Sequence, residues 1–147
     1  MHVVASFGFL MNALAGFLNA VTFVAFGRGT THVSGLTSTI AETLIIADYV
    51  LLSRNILQLL CFLLGAFSST IVVGSHKKFY GGKHFSVVLS AIATVVTVAA
   101  FVRDFPPIAT ALIAYAAGMQ NGMTSFWSGA IMRTTHVTGT VTDLGIE

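Results

Sequence analysis

Four apolar runs of bilayer-spanning length dominate this chain: about Val3–Phe26, Asn55–Gly74, Phe85–Val102 and Pro107–Trp127. A helix needs about 20 predominantly apolar residues to cross the hydrocarbon core. The only ionisable side chains in the four runs are Cys61 and Tyr115. In hydrocarbon, only helices and closed barrels satisfy their own backbone. These runs are continuous rather than alternating, which favours helices. Pro106 and Pro107 suit the start of a helix, where a missing N–H costs little. Of the 147 residues, 55% are hydrophobic and 8% charged, against about 25% charged in soluble domains. One core of this size cannot hide so much apolar surface from water. The expected fold is all-α, a single polytopic transmembrane domain over residues 1–147.

A fifth stretch, about Ser34–Leu52, has a helical pattern but contains Glu42, Asp48 and several threonines. It either spans as a polar-faced helix or enters and turns back, and the charge balance favours spanning. The loop His76–His84 carries Lys77, Lys78 and Lys83, so it is expected on the cytoplasmic side of the cell membrane. If Ser34–Leu52 spans, Arg28 and Arg133 join those lysines inside and only Arg54 and Arg103 lie outside. The uncharged N-terminus then faces out. If the stretch does not span, Arg28 moves to the outer side and the bias weakens. The N-terminal run lacks the basic leader of a signal peptide and is long enough to span. Cys61, the single cysteine, lies in an apolar stretch and reads as a small buried hydrophobe.

A motif occurs twice. Residues 30–35 read Thr-Thr-His-Val-Ser-Gly and residues 134–139 read Thr-Thr-His-Val-Thr-Gly. Upstream, Gly16-Phe-Leu-Asn19 parallels Gly118-Met-Gln-Asn121, and an arginine (Arg28, Arg133) precedes each motif. Two matches in one order and at nearly one spacing suggest duplication, with units of about 16–52 and 118–147. Internal repeats are common in secondary transporters, where the binding site lies at the repeat interface on interrupted helices. With all five segments spanning, the copies run parallel. With Ser34–Leu52 not spanning, the repeat is inverted.

The string from Gly118 to Gly145, with Asn121, Trp127, Arg133 and Thr134-Thr-His-Val-Thr-Gly139, resembles the signature of the YoaK family. Gly16-Phe-Leu-Asn-Ala-Val-Thr-Phe23 with Thr31-His-Val-Ser-Gly35 is similar to that family's N-terminal motif. The resemblance implies a multi-pass membrane protein of a mostly bacterial family without an established activity. Its members usually continue through one or two more helices, so this chain is expected to be a shortened form.

His32 and His136 lead the candidate site residues, because histidine titrates near neutral pH and relays protons. Two histidines alone make a poor zinc site, so no metal is expected. Thr31 and Thr135 accompany them. Asn19 and Asn121 place amides inside apolar helices, where such groups need partners and often join helices. Glu42 is an ionisable group in a membrane segment and therefore a functional candidate. Asp48, nearer the segment's end, is within reach of the headgroups. Arg28 and Arg133 suit the interface, where a long side chain snorkels. Gly16, Gly35, Gly118, Gly122 and Gly139 permit close helix approach or a broken helix. The sequence holds no phosphate-binding glycine loop, paired-histidine zinc motif or nucleophile elbow, and neither an enzyme nor a cofactor is expected. The leading expectation is a small-solute transporter or permease that binds its solute through Asn19, Thr31, His32, Glu42, Asn121, Thr135 and His136. A non-transporting membrane scaffold is the alternative, and an intramembrane enzyme using the two histidines is a more distant one. The expected partners are the lipid bilayer and a small solute, without nucleic acid; a homo-oligomer is left open.

Overall fold

The computed structural model describes residues 2–74 and 83–127, with side chains described for 9–74 and 84–126. Five helices follow one another: α1 (His2–Phe26), α2 (Val33–Ile45), α3 (Tyr49–Gly74), α4 (Lys83–Phe101) and α5 (Pro106–Trp127). Three of them, α1, α3 and α4, are long and apolar enough to cross a membrane. The distribution of side chains is the reverse of a water-soluble protein's. Alanine, threonine, glycine and methionine fill the interior, while Phe9, Phe17, Leu63 and Phe67 point outward. In lipid the tails are as apolar as leucine, so large apolar groups gain nothing by facing inward and small residues let helices approach.

The central element is α5, which packs against α1, α3 and α4. Its 22 residues measure about 33 Å, enough to cross. It is less apolar than the other three long helices because protein surrounds it, and from Ala109 to Thr124 most of its side chains are buried. Its closest contact is with α3. A Cβ on Gly118 would collide with the Phe62 carbonyl, one on Gly65 with the Tyr115 carbonyl, and one on Gly122 with Ala66 and Ser69. The two backbones therefore touch, as small-residue membrane interfaces do. Contacts at Phe62–Gly118, Ser69–Gly122 and Gly74–Phe126 advance together, so α3 and α5 run parallel and α4 returns between them. Among the glycines expected to permit close approach, Gly118 and Gly122 do so. Gly16 and Gly35 have nothing within 4 Å where a Cβ would sit, and Gly139 lies outside the described residues.

The spanning helix expected over Ser34–Leu52 does not form. Helix α2 has 13 residues, about 20 Å, which falls short of a hydrocarbon core of about 30 Å. It ends in a tight reversal. The Asp48 N–H donates to the Thr43 carbonyl and the Ala47 N–H to the Leu44 carbonyl, while Ala47 takes a left-handed φ of 55°. This is the 6→1 and 5→2 pattern that closes helices at a left-handed residue. Asp48 then opens α3, its carboxylate accepting the Leu51 N–H at 2.9 Å. The polar residues of the stretch thus stop one helix and start the next.

Because α2 does not span, α1 and α3 cross in opposite directions. The end of α1 (Phe23, Gly27) shares a pocket with the start of α3 (Leu51, Asn55). Further along, Gln120 of α5 donates from Nε2 to the Met11 carbonyl of α1. Since α3 and α5 are parallel, α1 is antiparallel to both. The N-terminal end of α1 therefore lies on the same side as the α3–α4 connection, not opposite it as the spanning reading required.

Candidate functional site

The site is built where the chain leaves α1. Gly27 takes φ 70°, a left-handed conformation suited to glycine, and its N–H caps the Phe23 carbonyl at 2.8 Å. The following residues do not continue outward. They run back along α1. Thr30 donates its hydroxyl to the Thr22 hydroxyl at 3.1 Å, and Thr22 donates in turn to the Asn19 carbonyl. The Thr31 N–H donates to Asn19 Oδ1 at 3.3 Å, and the Thr31 hydroxyl to the Ala15 carbonyl at 3.4 Å. Gly29 makes this approach feasible, since a Cβ there would meet the Asn19 amide at 2.7 Å. Ala15 lies eleven residues before the end of α1, about 16 Å back along the axis, within reach of a six-residue extended linker.

Helix α2 therefore begins about halfway along α1. Its later residues, Thr39 to Ile46, line a pocket together with Gly27, Arg28 and Gly29 at the end of α1. The chain re-enters, turns into a helix at mid-depth and comes out on the side it entered. Irregular backbone at that depth is tolerated only where protein or a water-filled cavity surrounds it, and Thr30 and Thr31 are fully buried by protein.

His32 sits at the N-cap of α2 but makes no capping bond; its Nδ1 lies 3.1 Å from the Thr31 hydroxyl. His32 is thereby a positioning group at the head of the re-entrant helix.

Between this linker, α2 and the first half of α3 lies a pocket of about 350 Å³. Arg28, Thr39, Glu42, Thr43, Asn55 and Gln58 supply its polar wall. Glu42 is exposed, whereas Asn55 and Gln58 are buried, Asn55 to within 1%. The Asn55 Nδ2 has no hydrogen-bond partner. Such a group costs about 1–3 kcal/mol when buried, so its retention asks for an explanation. Gly29 links the two parts, touching Asn19 on one side and the pocket on the other.

Of the residues expected from sequence, Asn19, Thr31 and His32 are brought together, and Glu42 lines the adjoining pocket. Asn121 is elsewhere, on the central helix, and its Oδ1 is buried without a partner. Thr135 and His136, and with them Arg133, lie outside the described residues. Arg28 lines the pocket rather than only snorkelling. Asn55 and Gln58 were not singled out from sequence, although their spacing of three along an otherwise apolar helix was the available signal.

A profile of the family described as "Protein of unknown function (DUF1275)" matches residues 7–147. No curated protein and no solved structure matches the chain.

Proposed function

The chain belongs to this DUF1275 family, and we propose that it is a permease-like membrane protein that binds a small polar solute in the pocket between α2, α3 and the re-entrant linker. The observation that carries this reading is the re-entrant half-helix itself. A helix that starts at mid-depth beside buried polar groups is the arrangement secondary transporters use to hold solutes. Arg28 and Glu42 give the pocket wall both signs of charge, and Asn55 and Gln58 add amides. A volume of about 350 Å³ suits a small metabolite rather than a polymer. The proposed solute-binding groups are Glu42, Arg28, Asn55 and Gln58, which line the pocket, with Asn19, Thr31 and His32 holding the linker behind it in position. Asn121 lies on α5, apart from this pocket, and Thr135 and His136 lie outside the described residues.

We place the α3–α4 loop, with Lys77, Lys78 and Lys83, in the cytoplasm of a cell-membrane protein, and the N-terminal end of α1 with it. Arg28, Arg54 and Arg103 then face the opposite side, where the pocket opens. The full chain reconstituted in liposomes, loaded with a panel of labelled amino acids, organic acids and sugars, tests the reading. Uptake of one class is expected, falling at least about tenfold in Glu42→Gln and Arg28→Ala while both variants stay folded. Absence of flux for every class, or flux indifferent to both changes, overturns it.

A second observation favours the scaffold reading. Helices α1 and α4 leave a groove of about 430 Å³ between them, lined by Met11, Leu14, Leu89, Ile92 and Val96. A stoichiometric membrane partner recovered without any solute flux would select that reading.

A further inference from the structure

The pocket between the linker, α2 and α3 carries two opposite charges that do not satisfy each other. Arg28 and Glu42 both line it, yet among the described residues neither side chain has an ion-pair or hydrogen-bond partner. On α3, Asn55 and Gln58 stand three residues apart on one face of the helix, at 1% and 4% exposure. The Asn55 Nδ2 is buried without a partner, and no described residue hydrogen-bonds the Gln58 amide. Thr39 and Thr43 differ, because their hydroxyls already donate to carbonyls of α2. The rest of the wall includes Phe23, Leu36, Ile46 and Leu51. Four side chains with unused charge or hydrogen-bonding capacity thus line one space with an apolar remainder.

We propose that the solute is a free α-amino acid with an apolar side chain, a specification that rests on the solute-pocket reading above. Charge selects it. A simple organic anion pairs with Arg28 but meets the Glu42 carboxylate, and an organic amine does the reverse. A sugar brings no charge, displaces part of the water around both groups and leaves them unpaired, which is costly. A zwitterion satisfies both at once, its carboxylate on the Arg28 guanidinium and its ammonium on Glu42. The carboxylate accepts at two oxygens, so it also takes the orphan Asn55 Nδ2 donor, while the ammonium has donors to spare for the Gln58 carbonyl. The side chain then lies against Phe23, Leu36, Ile46 and Leu51. Among the described residues no third charge lines the wall, so a charged side chain has nothing to pair with. At about 350 Å³ the pocket lies near the small end of ligand sites, which suits a single amino acid rather than a peptide.

The test is equilibrium binding to the full chain purified in detergent, with four probes: L-leucine, its deaminated analogue isocaproate, its decarboxylated analogue isoamylamine, and glucose. Leucine is expected to bind, and each of the other three at least about tenfold more weakly. In Glu42→Gln the ammonium loses its partner, so leucine is expected to fall to within about twofold of isocaproate. Any other probe binding as tightly as leucine overturns the proposal and leaves the solute pocket standing. An unchanged ratio of leucine to isocaproate affinity in a folded Glu42→Gln variant overturns it too. The comparison of probes on the parent chain needs no variant and decides if Glu42→Gln fails to fold. Binding of none of the four also overturns the proposal, and the broader pocket reading then stands or falls on flux in the liposome panel.

Discussion

The Asn19 side-chain oxygen accepts the backbone N–H of Thr31, twelve residues downstream, at 3.3 Å. This bond bends the chain back into the protein after α1 and gives a 13-residue helix a starting point halfway along its neighbour. A polar side chain inside an apolar helix is costly unless paired, and here its partner is a backbone amide that otherwise has none.

Replacing Asn19 by alanine should therefore release the linker rather than merely delete a contact. The expected loss is about 1–3 kcal/mol, since the Thr31 N–H is left unsatisfied in a buried position. Thermal unfolding in detergent would register it as a lowered midpoint. An unchanged midpoint would show that the bond is dispensable.

Glycine substitutions should split by position. Gly118→Ala drives a methyl group into the Phe62 carbonyl and should destabilise by about 1–3 kcal/mol or more. Gly16→Ala, on a helix of similar length with open space around it, should be neutral or stabilising by up to about 1 kcal/mol. Melting both variants beside the parent compares them directly, and equal effects would contradict the close α3–α5 contact.

Ala47 occupies the left-handed position at the end of α2. Ala47→Gly should remove that backbone penalty and raise stability by about 0.5–1 kcal/mol. Asp48→Ala, one residue on, should lower it by about 1 kcal/mol through loss of the α3 cap. Opposite shifts in melting temperature for adjacent residues are the expected signature.

Asn55 offers a separation of stability from function. Asn55→Leu removes a buried amide nitrogen without a partner and keeps a similar volume, so stability should hold or rise, by about 1 kcal/mol at most. Solute flux in liposomes should fall. A variant that loses stability and keeps flux would place Asn55 in packing rather than binding.

The long apolar runs were legible because a spanning helix is a local property: length and hydropathy suffice. Boundaries of α1, α4 and α5 follow from them within two residues, whereas α3 begins at Tyr49, six residues before its apolar run. The first motif was also legible as a polar break, with Asn19, Thr31 and His32 as its members. Two things escaped. The stretch 34–52 reads either as a spanning polar-faced helix or as one that turns back, with spanning favoured, and the outcome depends on Ala47 adopting a conformation that composition does not favour. The pocket wall at Asn55 and Gln58 is two polar residues in an apolar run, and which way they face depends on where α2 lies.

The chain's own composition and spacing determined that it is a helical membrane protein, which runs form its long helices, and that one polar motif is written twice. Those properties rest on short-range terms, the solvation of each segment and its backbone. Tertiary structure decided that the motif folds back against α1, that α5 rather than a more apolar helix lies at the centre, and that Asn55 and Asn121 each bury an amide atom without a partner. Such outcomes depend on contacts between residues far apart in the chain, whose energies no single segment contains.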